Sequence, residues 1–193
     1  MNKPTNWDTT KAMTGDFQTL PPGGYICTIL SAKLEKSKTN KEMIIIAYDI
    51  ADGEYKDFFK KMFDNNTSQF RKWPGVYNQL TEGKSLGFFK GMIESLEKSN
   101  PGYTWNWDET ALKGKRFGGI FGREEYFNGS KGEYRWSTKL QFIKTVEAIT
   151  SGNFKTPEDK PAQRGSTATL AMASGGEQYT NLPAYSNEDD IPF

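Results

Sequence analysis

The feature that most limits what this chain can become is the point where its pattern stops. Up to Phe154 apolar residues recur at strand or helix spacing. Beyond it Pro, Ser, Thr, Ala and Gly dominate as far as Tyr185, and the spacing is lost. A segment of that composition buries too little apolar surface to offset the entropy of ordering it. The core must come from the residues before it. Four parts follow: an N-terminal arm at 1–20, a folded body at 21–154, a disordered linker at 155–186 and an acidic tip at 187–193.

Within the body, Pro21-Pro22-Gly23-Gly24 is a breaker and strand spacing begins after it. Tyr25–Leu34 predicts a first strand and Glu42–Ala51 a second, with Ile44, Ile46, Tyr48 and Ile50 on one face. The basic turn Lys36–Lys41 joins them. Asp52-Gly53 is a hairpin signal, and Tyr55–Phe63 predicts a third strand with Tyr55, Phe59 and Phe63 on one face. The stretch 64–83 is irregular and is broken by Trp73-Pro74-Gly75. Phe88, Phe89, Met92, Ile93 and Leu96 then recur at helical spacing until Asn100-Pro101-Gly102. Lys115–Phe127 and Glu133–Val146 predict two last strands around a turn at 128–132, with Trp136, Thr138, Leu140 and Phe142 on one face. Three strands, a helix and two strands predict a mainly β fold, the OB-fold: a five-stranded Greek-key barrel with its helix between strands 3 and 4. A generic five-stranded barrel and an α+β sandwich share that order.

Charge and composition narrow the function. The formal net charge is +1, but from Lys155 onward three cations face six anions, leaving −3 there and +4 on residues 1–154. Aromatics make up 14% of the chain. A weakly basic aromatic body with an acidic tail suits a polyanion partner. The single cysteine, Cys27, excludes an internal disulfide and reads as a buried structural thiol. With no histidine, the commonest metal ligand and general base are missing. No cofactor and no metal are expected. Asp49, Asp52, Glu54 and Asp57 lie close in sequence, yet their turn and strand positions argue against a two-metal nuclease. Gly118-Gly119-Ile120-Phe121-Gly122 lacks the Lys-Ser/Thr ending of a phosphate loop, so a bulge or bend explains it better. The N-terminus has no signal-type apolar core, and no stretch approaches the roughly 20 apolar residues of a membrane span. A cytoplasmic protein with no membrane partner is expected.

Binding single strands takes cations along the backbone and aromatic faces that stack on bases. Two stretches offer both: Tyr55–Lys61 with Arg71-Lys72-Trp73, and Arg116–Phe127 with Tyr134-Arg135-Trp136. Phe58, Trp73, Tyr126 and Tyr134 are the candidate stackers. Lys56, Lys60, Arg71, Lys72, Arg123, Arg135 and Lys139 are the candidate phosphate contacts. Phe59, Phe117, Phe142 and Trp136 fit core positions best. The loops 36–41 and 128–132 would flank the groove, as in OB-folds generally.

The chain closes on Glu188-Asp189-Asp190-Ile191-Pro192-Phe193. Ile191 and Phe193 suit a small apolar pocket, Pro192 limits the freedom lost on docking, and Asp189, Asp190 and the terminal carboxylate suit its basic rim. This ending resembles the tip of bacterial single-stranded DNA-binding proteins, a docking peptide for replication, recombination and repair proteins. The body resembles a divergent group of single-stranded DNA-binding proteins from phages and prophages of Gram-positive bacteria. Leu20-Pro21-Pro22-Gly23-Gly24-Tyr25 and the run from Gly114-Lys115-Arg116-Phe117-Gly118 to Ser151-Gly152-Asn153-Phe154 carry that likeness. The resemblance implies a non-catalytic, nucleoid-associated protein of the bacterial host cell that coats single strands as a homo-oligomer. The alternative is a recruiting protein whose tip captures host replication proteins and whose body binds protein. An RNA-binding barrel also fits, because stacking does not discriminate the 2′-hydroxyl.

Overall fold

β1 (Gly23–Lys36) carries the rest of the sheet on its two edges. Its first half pairs antiparallel with β4 (Arg116–Asn128), from Gly23 opposite Phe121 to Thr28 opposite Arg116. Its second half pairs with β2 (Glu42–Ile50), from Cys27 opposite Ile50 to Lys36 opposite Glu42. A bulge at Leu30 separates the Ile29–Tyr48 and Ser31–Ala47 pairs and bends the strand. β3 (Val76–Leu80) pairs with the far edge of β2, and β5 (Glu133–Lys144) with the far edge of β4. The result is a mainly β protein with one five-stranded antiparallel sheet in the order β3-β2-β1-β4-β5. A helix, α2 (Leu86–Ser99), lies between β3 and β4 in sequence, as expected. This computed structural model describes residues 3–5, 7, 19–129 and 131–162.

The core gathers where strand alternation and helical spacing meet. Ile44, Ile46, Tyr48 and Ile50 of β2 are buried together with Cys27, Ile29, Phe117 and Phe121, and Phe89, Met92, Ile93 and Leu96 of α2 join them. Tyr48 meets Phe59, Phe117 and Phe121 edge-on at 5.2, 5.9 and 6.0 Å, so β2 and β4 share one aromatic centre although β1 runs between them. Cys27 is fully buried, and burial pushes its thiol far above the usual range. α2 ends at Asn100, as the Asn-Pro-Gly signal predicts. The Asn100 side chain then latches the helix to β4, donating to the Arg116 carbonyl (2.8 Å) and accepting from the Arg116 N–H (2.9 Å).

The expected third strand is where the structure departs from the sequence reading. Tyr55–Phe63 is not extended: a turn leads into α1 (Phe58–Asn65). The spacing of Tyr55, Phe59 and Phe63 is four residues, which suits one face of a strand and one face of a helix equally well. Asp49, buried on β2, decides between them. Its carboxylate accepts from the N–H groups of Phe59 (2.9 Å) and Lys60 (3.0 Å), which the first turn of a helix leaves unpaired. Asp57 takes a left-handed conformation (φ 58°) just before the helix. The true third strand is Val76–Leu80, inside the stretch read as irregular. Gly75 leads into it, where a β-carbon would lie 2.3 Å from the Tyr48 carbonyl oxygen, so only glycine allows this close approach to β2.

Candidate nucleic-acid interface

Midway along β4 the environment changes. Phe117 to Gly122 are buried without interruption, whereas Arg123 to Asn128 are exposed or half-buried. The reason is the pairing. β1 accompanies β4 only as far as Phe121, and of the sheet's strands only β5 continues beside it to Asn128, opposite Glu133. The β4–β5 hairpin therefore runs about seven residues past the body of the sheet. A bulge marks the exit: Ile120 pairs with Phe142, but Phe121 pairs with Leu140, which leaves Gln141 as the extra residue. The glycine run spans this bulge and packs closely against its neighbours. A β-carbon on Gly118 would lie 2.4 Å from the Thr145 carbonyl oxygen, and one on Gly119 would press on the Phe121 ring.

Directly opposed residues share a face, so the register sorts the hairpin. One face carries Phe127 opposite Tyr134, Glu125 opposite Trp136 and Arg123 opposite Thr138. The Phe127 and Tyr134 rings are 5.2 Å apart, and the Arg123 guanidinium lies 5.1 Å over the Trp136 ring. The other face carries Tyr126 opposite Arg135 and Gly122 opposite Lys139. Phe127 is 57% exposed, Tyr134 and Trp136 43% each, and Tyr126 39%. Four large rings at the surface of one hairpin have no folding explanation, but they match what stacking on bases needs. Charge is secondary here. Arg123, Lys131, Arg135 and Lys139 barely outnumber Glu124, Glu125 and Glu133, and Arg135 pairs with Glu133 while Lys139 reaches Glu124.

The expected site residues divide accordingly. Arg123, Tyr126, Tyr134, Arg135 and Lys139 come together on the hairpin and are exposed. Lys56, Lys60, Arg71 and Lys72 are exposed on and around α1. Lys60 pairs with Asp64 (3.0 Å), and Arg71 lies over the Phe63 ring at 4.6 Å. Two expected stackers are core residues instead. Phe58 is 6% exposed, wedged between Tyr55 and Phe59, and Trp73 is 5% exposed, with its indole N–H donating to the Tyr48 carbonyl (3.0 Å). Their burial follows from α1: a helix in place of a strand turns Phe58 inward and draws Trp73 against Phe63.

Phe59 and Phe117 are buried as expected, but Trp136 and Phe142 are not. The Gln141 bulge moves Phe142 off the face that Trp136, Thr138 and Leu140 share, so strict alternation fails there. Phe127 and Trp136 are the stacking candidates that the sequence reading passed over. The signal was present in the turn, since pairing outward from Asn128–Glu133 sets Phe127 against Tyr134 and places Trp136 two residues further along the same face.

A chain of edge-on rings, Phe121–Tyr25–Tyr55–Phe58, links the base of this hairpin to α1 at centroid distances of 5.4, 5.7 and 6.2 Å. The two loops expected to flank one groove project from opposite ends of β1. Among the described residues no group of three or more Cys, Asp or Glu side chains comes together, and no helix is long and apolar enough to cross a membrane. Asp189, Asp190, Ile191, Pro192 and Phe193 lie outside the described residues. No protein-family model matches this chain, and no curated protein matches it.

Proposed function

We propose that the protein binds and coats single-stranded DNA with little sequence preference, without catalysis, during phage DNA replication, recombination or repair. The observation that carries this reading is the β4–β5 hairpin, which holds Phe127, Tyr134 and Trp136 at the surface of one face with Arg123, and Tyr126 on the other face with Arg135 and Lys139. Stacking on such rings tolerates any base, because every base has a π face. The strand order supports reading the sheet as an OB barrel. β1 lies centrally, β3 and β5 are the outer strands, and α2 touches β3, β4 and β5, so it bridges the edges that closure would join. In this reading the tip, Asp189 to Phe193, recruits replication and repair proteins, and the linker raises their local concentration.

The test is fluorescence anisotropy of a labelled dT oligomer of about 30 nucleotides, and of its duplex, across salt concentrations. Single-strand binding with weak duplex binding is expected. The salt slope should be shallow for a nucleic-acid binder, because acids nearly balance the cations on the hairpin. No single-strand binding at low salt would overturn the reading and leave the tip-driven recruiting protein.

A further inference from the structure

The segment after α3 (Val146–Thr150) does not leave the body at Phe154. It runs back along the hairpin to Ala162. Lys160 forms a parallel bridge with β4: its N–H donates to the Arg123 carbonyl (2.9 Å), and its carbonyl accepts from the Glu125 N–H (2.9 Å). The segment thus takes the edge of β4 that β1 abandons at Phe121. Lys160 also reaches Glu124 (3.3 Å), and the Ala162 N–H donates to Glu125 (3.1 Å). One residue earlier, Asp159 grips the Arg123 guanidinium. The Nε donates to Oδ1 at 3.0 Å and Nη2 donates to Oδ2. That is the planar two-point contact with which arginine also holds a phosphate. Arg123 holds the Asp159 carboxyl below its ordinary range, chiefly through this hydrogen bonding.

We propose that residues 157–162 form an acidic strap that occupies the phosphate position at Arg123 and is displaced by the single strand. The inference rests on the single-strand reading above and adds a regulation to the same site. Asp159 stands where Arg123 would hold a backbone phosphate, beside the Trp136 ring that the guanidinium covers. Two features make displacement easy. The ion pair is open to solvent on both sides, and exposed pairs are weak. The strap also closes over the β5 bulge at a cost. Pro157 packs beside Gly122 and the Gln141 side chain, and neither amide atom of Gln141 has a partner within the protein. Lifting the strap lets water reach that amide and frees Arg123 at the same moment.

The full-length protein, the single variants Asp159→Ala, Glu158→Ala and Arg123→Ala, and the double variant Asp159→Ala/Arg123→Ala are titrated into labelled dT oligomer at low and high salt. Glu158 is the matched control: it carries the same charge, but reaches Lys155 rather than Arg123. Asp159→Ala should bind about two- to fivefold more tightly than wild type at low salt, which is the scale of an exposed ion pair. That gain should vanish when Arg123→Ala is also present, and Glu158→Ala should gain much less. Equal affinities for wild type and Asp159→Ala would overturn the strap and leave single-strand binding intact. An equal gain from Glu158→Ala would overturn it in favour of bulk charge. Failure of every variant to bind would overturn the binding reading itself.

Discussion

β4 carries two sets of aromatic side chains only a few residues apart, and they have opposite fates. Phe117 and Phe121 are fully buried against Tyr48, Phe59 and Tyr25. Tyr126 and Phe127, five and six residues further on, stand at the surface with Tyr134 and Trp136. Composition does not separate the sets, because both are rings on a strand with glycines and charges nearby. The number of neighbouring strands does. Where β1 and β5 flank β4, the sheet closes over its rings, and where β1 stops, the same strand becomes an outward platform. An aromatic-rich strand is thus at once a core element and a candidate binding element, divided where β1 stops beside Phe121.

Substitutions that hit one half and spare the other test this division. The largest effect belongs to Phe121→Ala, which removes a ring at the aromatic centre. Thermal or urea unfolding should show a loss of about 3–5 kcal/mol, with DNA affinity unchanged for the fraction that stays folded. Trp136→Ala should do the reverse: it should weaken dT-oligomer binding by about 1–3 kcal/mol and leave stability within roughly 0.5 kcal/mol. A matching loss of stability would show that Trp136 belongs to the core after all. Trp73→Phe breaks the indole bond to the Tyr48 carbonyl. It should cost about 1 kcal/mol of stability and nothing in binding, whereas lost affinity would return Trp73 to the interface. The smallest effect is expected from Arg135→Ala, which should lower the salt slope of binding by about 1 and leave the unfolding midpoint in place.

Helix α1 shows how the sequence reading fails and why its count of strands still held. The expected count of strands was right although the third was placed on the wrong residues. Four-residue spacing at Tyr55, Phe59 and Phe63 fits both periodicities, and the arbiter, Asp49, lies on a different element. Trp73 and Phe58 were misjudged for the same reason, because their burial depends on α1 packing against β2. The hairpin candidates fared better. Arg123, Tyr126, Tyr134, Arg135 and Lys139 surround a turn whose register is local, and a local register is readable from the chain.

What the sequence by itself determined is what short-range chemistry controls. The strands β1, β2, β4 and β5 follow from alternation, α2 and its Asn-Pro-Gly stop from helical spacing, and the aromatic-basic hairpin from its turn. Only the tertiary structure decided which rings are covered. The helix at α1, the early stop of β1 beside Phe121 and the return of Asp159 to Arg123 join residues 10 to 98 positions apart. Burial is set by how many neighbours a residue acquires across the fold, and no local pattern encodes that number.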